Sequence, residues 1–184
     1  AASAAHSREL DTPDDIEPIA AALAQAADVQ ERAIRVDILS SADAGEISQL
    51  ILGDSPAYRM HFTPFPFGEA ELAQRFGSVQ KDRYWAIRIG GSTSCFFMLR
   101  GFDEGYQRPS FGVYVGERFA GMGLAALALQ HALVWCRLHH IASVMLKVHP
   151  DNVSARHIYE RSGFVFESVC PQTHHHLLVK TLQD

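Results

Sequence analysis

The hydrophobic positions along the chain change period several times, and each change predicts an element. Residues 33–39 (AIRVDIL) alternate apolar and polar, the two-residue period of a strand with one buried face. Residues 41–53 switch to helical spacing, with Ile47, Leu50 and Ile51 on one side. A second helix is predicted over residues 69–76. Between the two helices, MHFTPFPFG (60–68) holds two prolines and three phenylalanines, which excludes the interior of a regular element. Its rings either line a substrate or pack on the core. Residues 84–89 and 93–100 read as strands joined at Gly90-Gly91, a hairpin signal. After the loop GFDEGYQRP (101–109), a strand is predicted over 110–115 and a long helix runs to about residue 139. A buried strand over 142–148, a short helix over 152–161 and strands over 164–168 and 174–181 complete the chain. The order β α α β β β α β α β β puts antiparallel strands first and a βαβ crossover later. It predicts an α/β fold with a single mixed sheet.

That domain is expected over residues 33–184. The preceding residues form an arm. Its first dozen residues are small and polar. Thr12-Pro13 then reads as an N-cap followed by proline at the first helical position, and Ile16, Ile19 and Leu23 predict a helix over about 13–28. Such a helix packs on the domain or on a second chain, so a homodimer is one expected assembly.

Composition narrows the function classes. The 184 residues are 47% hydrophobic and 20% charged, the balance of a soluble domain. A net charge of −5 disfavours a nucleic-acid binder, which usually presents a basic surface. No apolar run reaches spanning length, since His131 and Arg137 interrupt residues 124–138. Cys95, Cys136 and Cys170 lie far apart without a CxxC pair, so no disulfide framework is expected and a cytoplasmic location is the default. THHHLLVK (173–180) invites a metal reading. Adjacent histidines on a strand alternate faces, however, and no carboxylate or cysteine sits beside them, so no metal is expected.

The chemistry concentrates in GVYVGERFAGMGLAALALQ (112–130), where a strand breaks into a glycine loop and enters an alanine-rich helix. Such a loop offers unpaired N–H groups to an anion, and the helix dipole adds to the attraction. A dinucleotide fits poorly: Gly121-Met122-Gly123 lies in a G-x-G-x-x-A match, yet no acidic residue follows at the ribose-binding distance. A Walker loop is excluded because the chain has no Gly-Lys pair. The remaining reading starts from Arg118-Phe119-Ala120-Gly121-Met122-Gly123, an R-x-x-G-x-G segment. Downstream, KVHPDNVSARHIYERSGF (147–164) places Asn152, Ala155 and Tyr159 on one helical face and ends at Gly163-Phe164.

Together and in this order, these segments resemble the two cofactor motifs of the GCN5-related N-acetyltransferase (GNAT) superfamily over about residues 33–184. The resemblance implies the GNAT fold, a mixed sheet of about seven strands flanked by helices, with a V-shaped splay between strands 4 and 5. It implies acetyl-CoA as co-substrate, without a metal, and transfer of acetyl to a primary amine. Val113, Tyr114 and Val115 would face the pantetheine arm. Phe119, Ala120, Gly121, Met122, Gly123 and Leu124 would hold the diphosphate through their amides, with Arg118 beside them, and Asn152 and Ala155 would line the cofactor. Tyr159 matches the family tyrosine and is the expected general acid.

The base is less defined, because the strand SFGVYV lacks the glutamate that many relatives carry there, and Glu117 lies past its end. Asp103, Glu104, His149, His61 and a water chain are the alternatives. Asp103 and Glu104 would also attract an ammonium group, and Tyr106 with Phe62, Phe65 and Phe67 would stack on a sugar ring. The expected acceptor is therefore a small-molecule amine, with an amino sugar as one form of it. A protein N-terminus or lysine is the first alternative, and a non-catalytic acyl-CoA-binding sensor the second.

Overall fold

The computed structural model describes residues 33–182; the arm predicted over 1–32 lies outside the described residues. Strands β1 (Ile34–Ile38), β2 (Arg83–Ile89), β3 (Ser92–Arg100), β4 (Ser110–Val115), β5 (Ser143–Val148), β6 (Val165–Val169) and β7 (His176–Thr181) form one sheet in the order β1-β2-β3-β4-β5-β7-β6. Every neighbouring pair is antiparallel except β4 and β5. The helices are α1 (Ala44–Leu52), α2 (Pro56–Arg59), α3 (Glu69–Ser78), α4 (Leu124–Leu138) and α5 (Val153–Arg161).

The sheet has a core on each face, because alternate residues of a strand point opposite ways. On β3, Cys95, Phe97 and Leu99 pack with Leu129 and Leu133 of α4, while Phe96 and Met98 pack with Ile47 of α1 and Leu72 of α3. Burial on both faces explains the unbroken apolar run CFFML, which carries no alternation of its own. On α4, Ala128, Leu129, Ala132, Leu133 and Cys136 are buried. The alanines let that helix lie close against the sheet. Between β2 and β3, Gly90 and Gly91 both have positive φ, +55° and +80°, as the predicted tight turn requires.

Three local readings change. Residues 56–59 form the short helix α2, capped by Ser55, whose hydroxyl accepts the Tyr58 N–H, with Pro56 in the first turn. Its single turn is too short to show a period. The histidine tract is a turn rather than a regular strand: His174 is left-handed at φ +56°, and only His176 lies in β7. The phenylalanines of 60–68 pack inward. Phe67 is buried, and Phe62 and Phe65 lie against Phe96, so these rings belong to the core rather than to a sugar-stacking wall.

The feature that positions a site is where the sheet parts. β4 and β5 pair only at Ser110–Met145 and Phe111–Leu146. Beyond that point each strand stays with its other neighbour. Val113 and Val115 remain opposite Phe97 and Cys95 on β3, and Lys147 and Val148 opposite Leu177 and His176 on β7. The two strands therefore diverge into a V-shaped opening that widens toward their C-terminal ends.

Candidate active site

The edges of this opening carry backbone groups that pairing would otherwise consume. The Pro109 carbonyl accepts the Met145 N–H at 3.0 Å, so residues 111, 113 and 115 turn the same edge toward β5. Val113 thus turns its N–H and C=O toward the opening, and Val115 its N–H, while the Val115 carbonyl accepts the Tyr58 hydroxyl at 3.1 Å. Tyr114 does not face the opening. Its backbone faces β3, and its hydroxyl donates to Asp54 at 2.7 Å on the α1 face. Its side chain and main chain both serve the scaffold, which removes it from the cofactor-facing residues.

At the wide end the chain enters a 3₁₀ turn at Glu117–Phe119 and then the glycine loop. Gly121 and Gly123 are left-handed, at φ +78° and +81°, and a Cβ built on either meets nothing within 4 Å. These glycines are needed for backbone conformation and leave open space before the loop, which removes tight helix–sheet packing as their reason. The Phe119 and Ala120 amides are spent on the carbonyls of Gly116 and Glu117. Among the described residues, the Gly121, Gly123 and Leu124 amides have no partner, and they stand at the positive end of the fifteen-residue α4. The set of free amides is thus narrower than the 119–124 run, and starts at Gly121. Met122 is exposed, and the exposed Arg118 lies 4.5 Å over the Phe119 ring beside the loop.

Below the narrow end lies Tyr159. It is buried on α5, edge-on to Phe111 with ring centres 6.5 Å apart, and Phe111 belongs to the last β4–β5 pair. Burial pushes the Tyr159 phenol well above its ordinary pKa, so it stays protonated. Its hydroxyl has no hydrogen-bond partner among the described residues. Ala155 packs against the same core, one helical turn earlier. Asn152 caps α5: its Oδ1 accepts the Ala155 N–H at 3.1 Å, leaving the amide NH₂ as its available donor.

The candidate bases fare differently. The Asp103 carboxylate accepts the Gln80 and Lys81 amides at 3.2 and 2.6 Å, and the buried Asp82 in turn accepts the amides of Gly101, Phe102 and Asp103. This pair of carboxylates folds the 101–109 loop. Glu104 lines a depression with Glu71, Arg75 and Lys81 on the α3 side, before β4 begins. It stands at the opposite end of the parallel pair from His149, and the structure does not bring the two together. Glu117 accepts the Ser55 N–H and hydroxyl at 3.1 and 3.2 Å. Its carboxylate is a clamp.

His149 and His61 do converge. Their rings stack with centres 4.3 Å apart, and His175 meets His149 edge-on at 5.3 Å. His149 follows β5 directly, so this cluster stands at the wide end of the opening, on the face away from α4. The Tyr58 hydroxyl reaches the other lip, donating to the Val115 carbonyl at 3.1 Å. Residues 54–61 therefore cross the opening from β4 to β5. Neither Tyr58 nor His175 is legible in the sequence as part of this cluster. Tyr58 sits in the helix too short to read, and His175 was set aside with its tract.

No group of three or more histidine, cysteine or acidic residues able to hold a metal ion exists among the described residues. No helix among them is long and apolar enough to cross a membrane.

The mixed sheet parts at a parallel pair, and at the wide end a glycine loop leads into the long helix α4. Residues 54–164 match the family model described as "Acetyltransferase (GNAT) family", and the chain belongs to that family. Among solved structures, it is similar to a putative phosphinothricin N-acetyltransferase, at 16% identity, covering 83% of this chain and 100% of that one with a TM-score of 0.71. It is also similar to a GNAT-family acetyltransferase from Streptococcus pneumoniae (17% identity, 82% and 100% covered, TM-score 0.63). The third is the PaiA N-acetyltransferase from Thermoplasma acidophilum in complex with coenzyme A (13% identity, 81% and 99% covered, TM-score 0.66). At these identities the likeness speaks for the fold. A search of curated protein sequences finds no match.

Proposed function

We propose that this protein transfers acetyl from acetyl-CoA directly to the primary amine of a small molecule. The observation that carries this reading is one continuous surface. It begins at the unpartnered Gly121, Gly123 and Leu124 amides, runs along the open edge of Val113 and the Val115 N–H, and ends above the protonated Tyr159. The residues present suit the cofactor: amides at a helix start for a diphosphate, and an open strand edge for an arm that pairs as an extra strand would. Bound there, acetyl-CoA supplies an activated acetyl group; the amine nitrogen bonds the carbonyl carbon, the C–S bond breaks, the amine loses one proton and the thiolate gains one.

The chain's own groups account for the rest. The Val113 N–H is placed to donate to the oxygen that becomes negative during attack. Tyr159 gives its proton to the departing sulfur; a thiol pKa near 8.5 makes this a modest contribution. The crossing of the opening by residues 54–61 favours a small acceptor over a polypeptide lying in an open groove. A panel of amines, amino sugars and peptides with acetyl-CoA, read by thiol release and intact product mass, tests this. Acetylated small amines are expected. Tight acetyl-CoA binding with no turnover on any amine would make the protein an acyl-CoA sensor, and turnover on peptides alone would make it a protein acetyltransferase.

A further inference from the structure

We propose that His175, held against His149 at the wide end of the β4–β5 opening, is the base that takes the proton from the acceptor amine. The inference rests on the acetyl-transfer reading. It names a residue for the one role that the strand SFGVYV leaves empty, since β4 bears no carboxylate.

Placement comes first. The glycine loop and α4 occupy one face of the sheet, so an acceptor reaches the opening from the other face. β5 assigns that face. Val144, Leu146 and Val148 point into the core beneath α4, so Lys147 and His149 point the opposite way. Register places the cross-strand partner. Val148 lies opposite His176, which brings His175 beside His149, and the edge-on ring contact at 5.3 Å follows. The backbone of His175 is fixed by a hairpin, in which its carbonyl accepts the Cys170 N–H at 2.8 Å and its own N–H reaches the Thr173 hydroxyl at 3.4 Å.

Hydrogen bonding then separates the three imidazoles. The Nδ1 of His149 accepts the Asp151 N–H at 3.2 Å, so its neutral ring carries the proton on Nε2 and offers a donor to the opening. The Asp151 carboxylate also lies 3.7 Å from this Nδ1, so that side of the His149 ring is already engaged. His61 covers the outer side of the stack and is exposed. The half-buried His175 ring makes no hydrogen bond among the described residues, so a nitrogen lone pair remains available.

The surroundings keep that lone pair free. Burial, then the neighbouring His149, His61 and Lys147, hold the His175 pKa below its ordinary value. The charged and titratable groups facing it are His61 after α2, Lys147, His149 and Asp151 at the end of β5, and Cys170 in its own hairpin. Cys170 is pulled down to about 6 by hydrogen bonds from Thr173, first its hydroxyl and then its amide, with Gln172 and Lys147 adding to them. The step balances simply: the His175 nitrogen lone pair takes one N–H proton as the amine nitrogen bonds the acetyl carbon, and the proton passes to solvent after product leaves.

The test is His175→Gln, assayed against pH with an acceptor found in the amine panel. The expected result is a fall in kcat of about 100-fold near neutral pH, the usual scale for losing a general base. Acetyl-CoA affinity should be unchanged. The deficit should shrink toward about pH 10, where the ammonium form of the acceptor loses its proton unaided, and added imidazole should restore part of the rate. His149→Gln should cost less, because it removes a donor and leaves the base. Full activity of His175→Gln with an unaltered pH profile overturns the proposal, and so does a loss of rate matched by equal loss of acetyl-CoA binding. Should the variant not fold, NMR titration of the wild-type imidazoles decides. His175 is expected to titrate below about 6.5, and a value above 7 overturns the proposal. Absence of turnover by the wild-type protein on every amine would instead sink the acetyl-transfer reading, an outcome separate from these.

Discussion

The Tyr58 hydroxyl donates to the Val115 carbonyl across 3.1 Å and joins the segment after α1 to the free edge of β4. This bond satisfies one of the few backbone groups that the parting of β4 and β5 leaves without a strand partner. Asp54 anchors the same segment by accepting the Tyr114 hydroxyl and the Glu117 N–H, both at 2.7 Å. Tyr58→Phe should therefore lower ligand-free stability by about 1 kcal/mol, the net value of a typical hydrogen bond. Acetyl-CoA should raise the Tm of the variant by more than that of wild type, since the ligand can reach the freed carbonyl. Urea unfolding and thermal shifts measure both. An unchanged unfolding midpoint would show that the hydroxyl contributes nothing.

Gly121→Val should abolish acetyl-CoA binding in a protein that still folds. At φ +78° a β-branched residue costs about 1–2 kcal/mol or forces the loop to another conformation. The open space before the loop would also fill with methyl groups. Calorimetric titration with coenzyme A, beside circular dichroism, checks this. Normal affinity would remove the Gly121 amide from the diphosphate site.

Tyr159→Phe should lower kcat by at least about tenfold, within or below the usual range for a general acid, and leave acetyl-CoA affinity nearly unchanged. Because burial raises the Tyr159 phenol, wild-type kcat should not decline between about pH 8 and pH 10 through loss of this proton. A large loss of affinity would instead recast Tyr159 as a binding residue.

Arg88 gives a prediction about stability alone. Its buried guanidinium bonds Asp37 at 2.8 Å, Asp43 at 2.8 Å and Glu46 at 3.1 Å. At Asp43 burial opposes ionisation, but hydrogen bonds from Ser40 and Arg88 outweigh it and lower the pKa. At Glu46 the Thr93 hydroxyl lowers it first, and Arg88 adds to this. Folded pKa values below the unfolded ones mean stabilisation that is complete above about pH 4.5 and lost as pH falls through the folded values. Arg88→Met should cost about 3 kcal/mol at neutral pH, the scale for stranding partly buried charges. It should also flatten the acid limb below about pH 4. Urea midpoints at several pH values measure this, and an acid limb as steep as wild type would separate Arg88 from it.

Reading the chain as sequence went furthest where a physical constraint is local. Period fixed the strands and most helices, because alternation and helical spacing arise within one element. The glycine loop at Gly121 and Gly123 was visible because paired glycines are costly in regular structure; that both are left-handed emerged only with the fold. Tyr159 and Asn152 were legible through helical spacing and capping, both properties of a single turn or two. The single-turn α2 was hidden because it has no room for a period, and the inward packing of Phe62 and Phe65 depended on a partner, Phe96, more than thirty residues away.

The roles of the polar residues depended on the assembled fold. Asp103, Glu104, His149 and His61 look alike in the chain as possible bases, and Glu117 lies just past the strand SFGVYV. Asp103 proved to be held by the Gln80 and Lys81 amides, Glu117 by Ser55, and His149 Nδ1 by the Asp151 amide. Sequence alone established the order of elements, the glycine loop and the helix that carries Tyr159, since each follows from short-range backbone and side-chain preferences. Folding in three dimensions settled which lone pairs and N–H groups remain free. Hydrogen bonding between distant segments is a property of proximity, and proximity appears only once the sheet has formed and β4 and β5 have drawn apart.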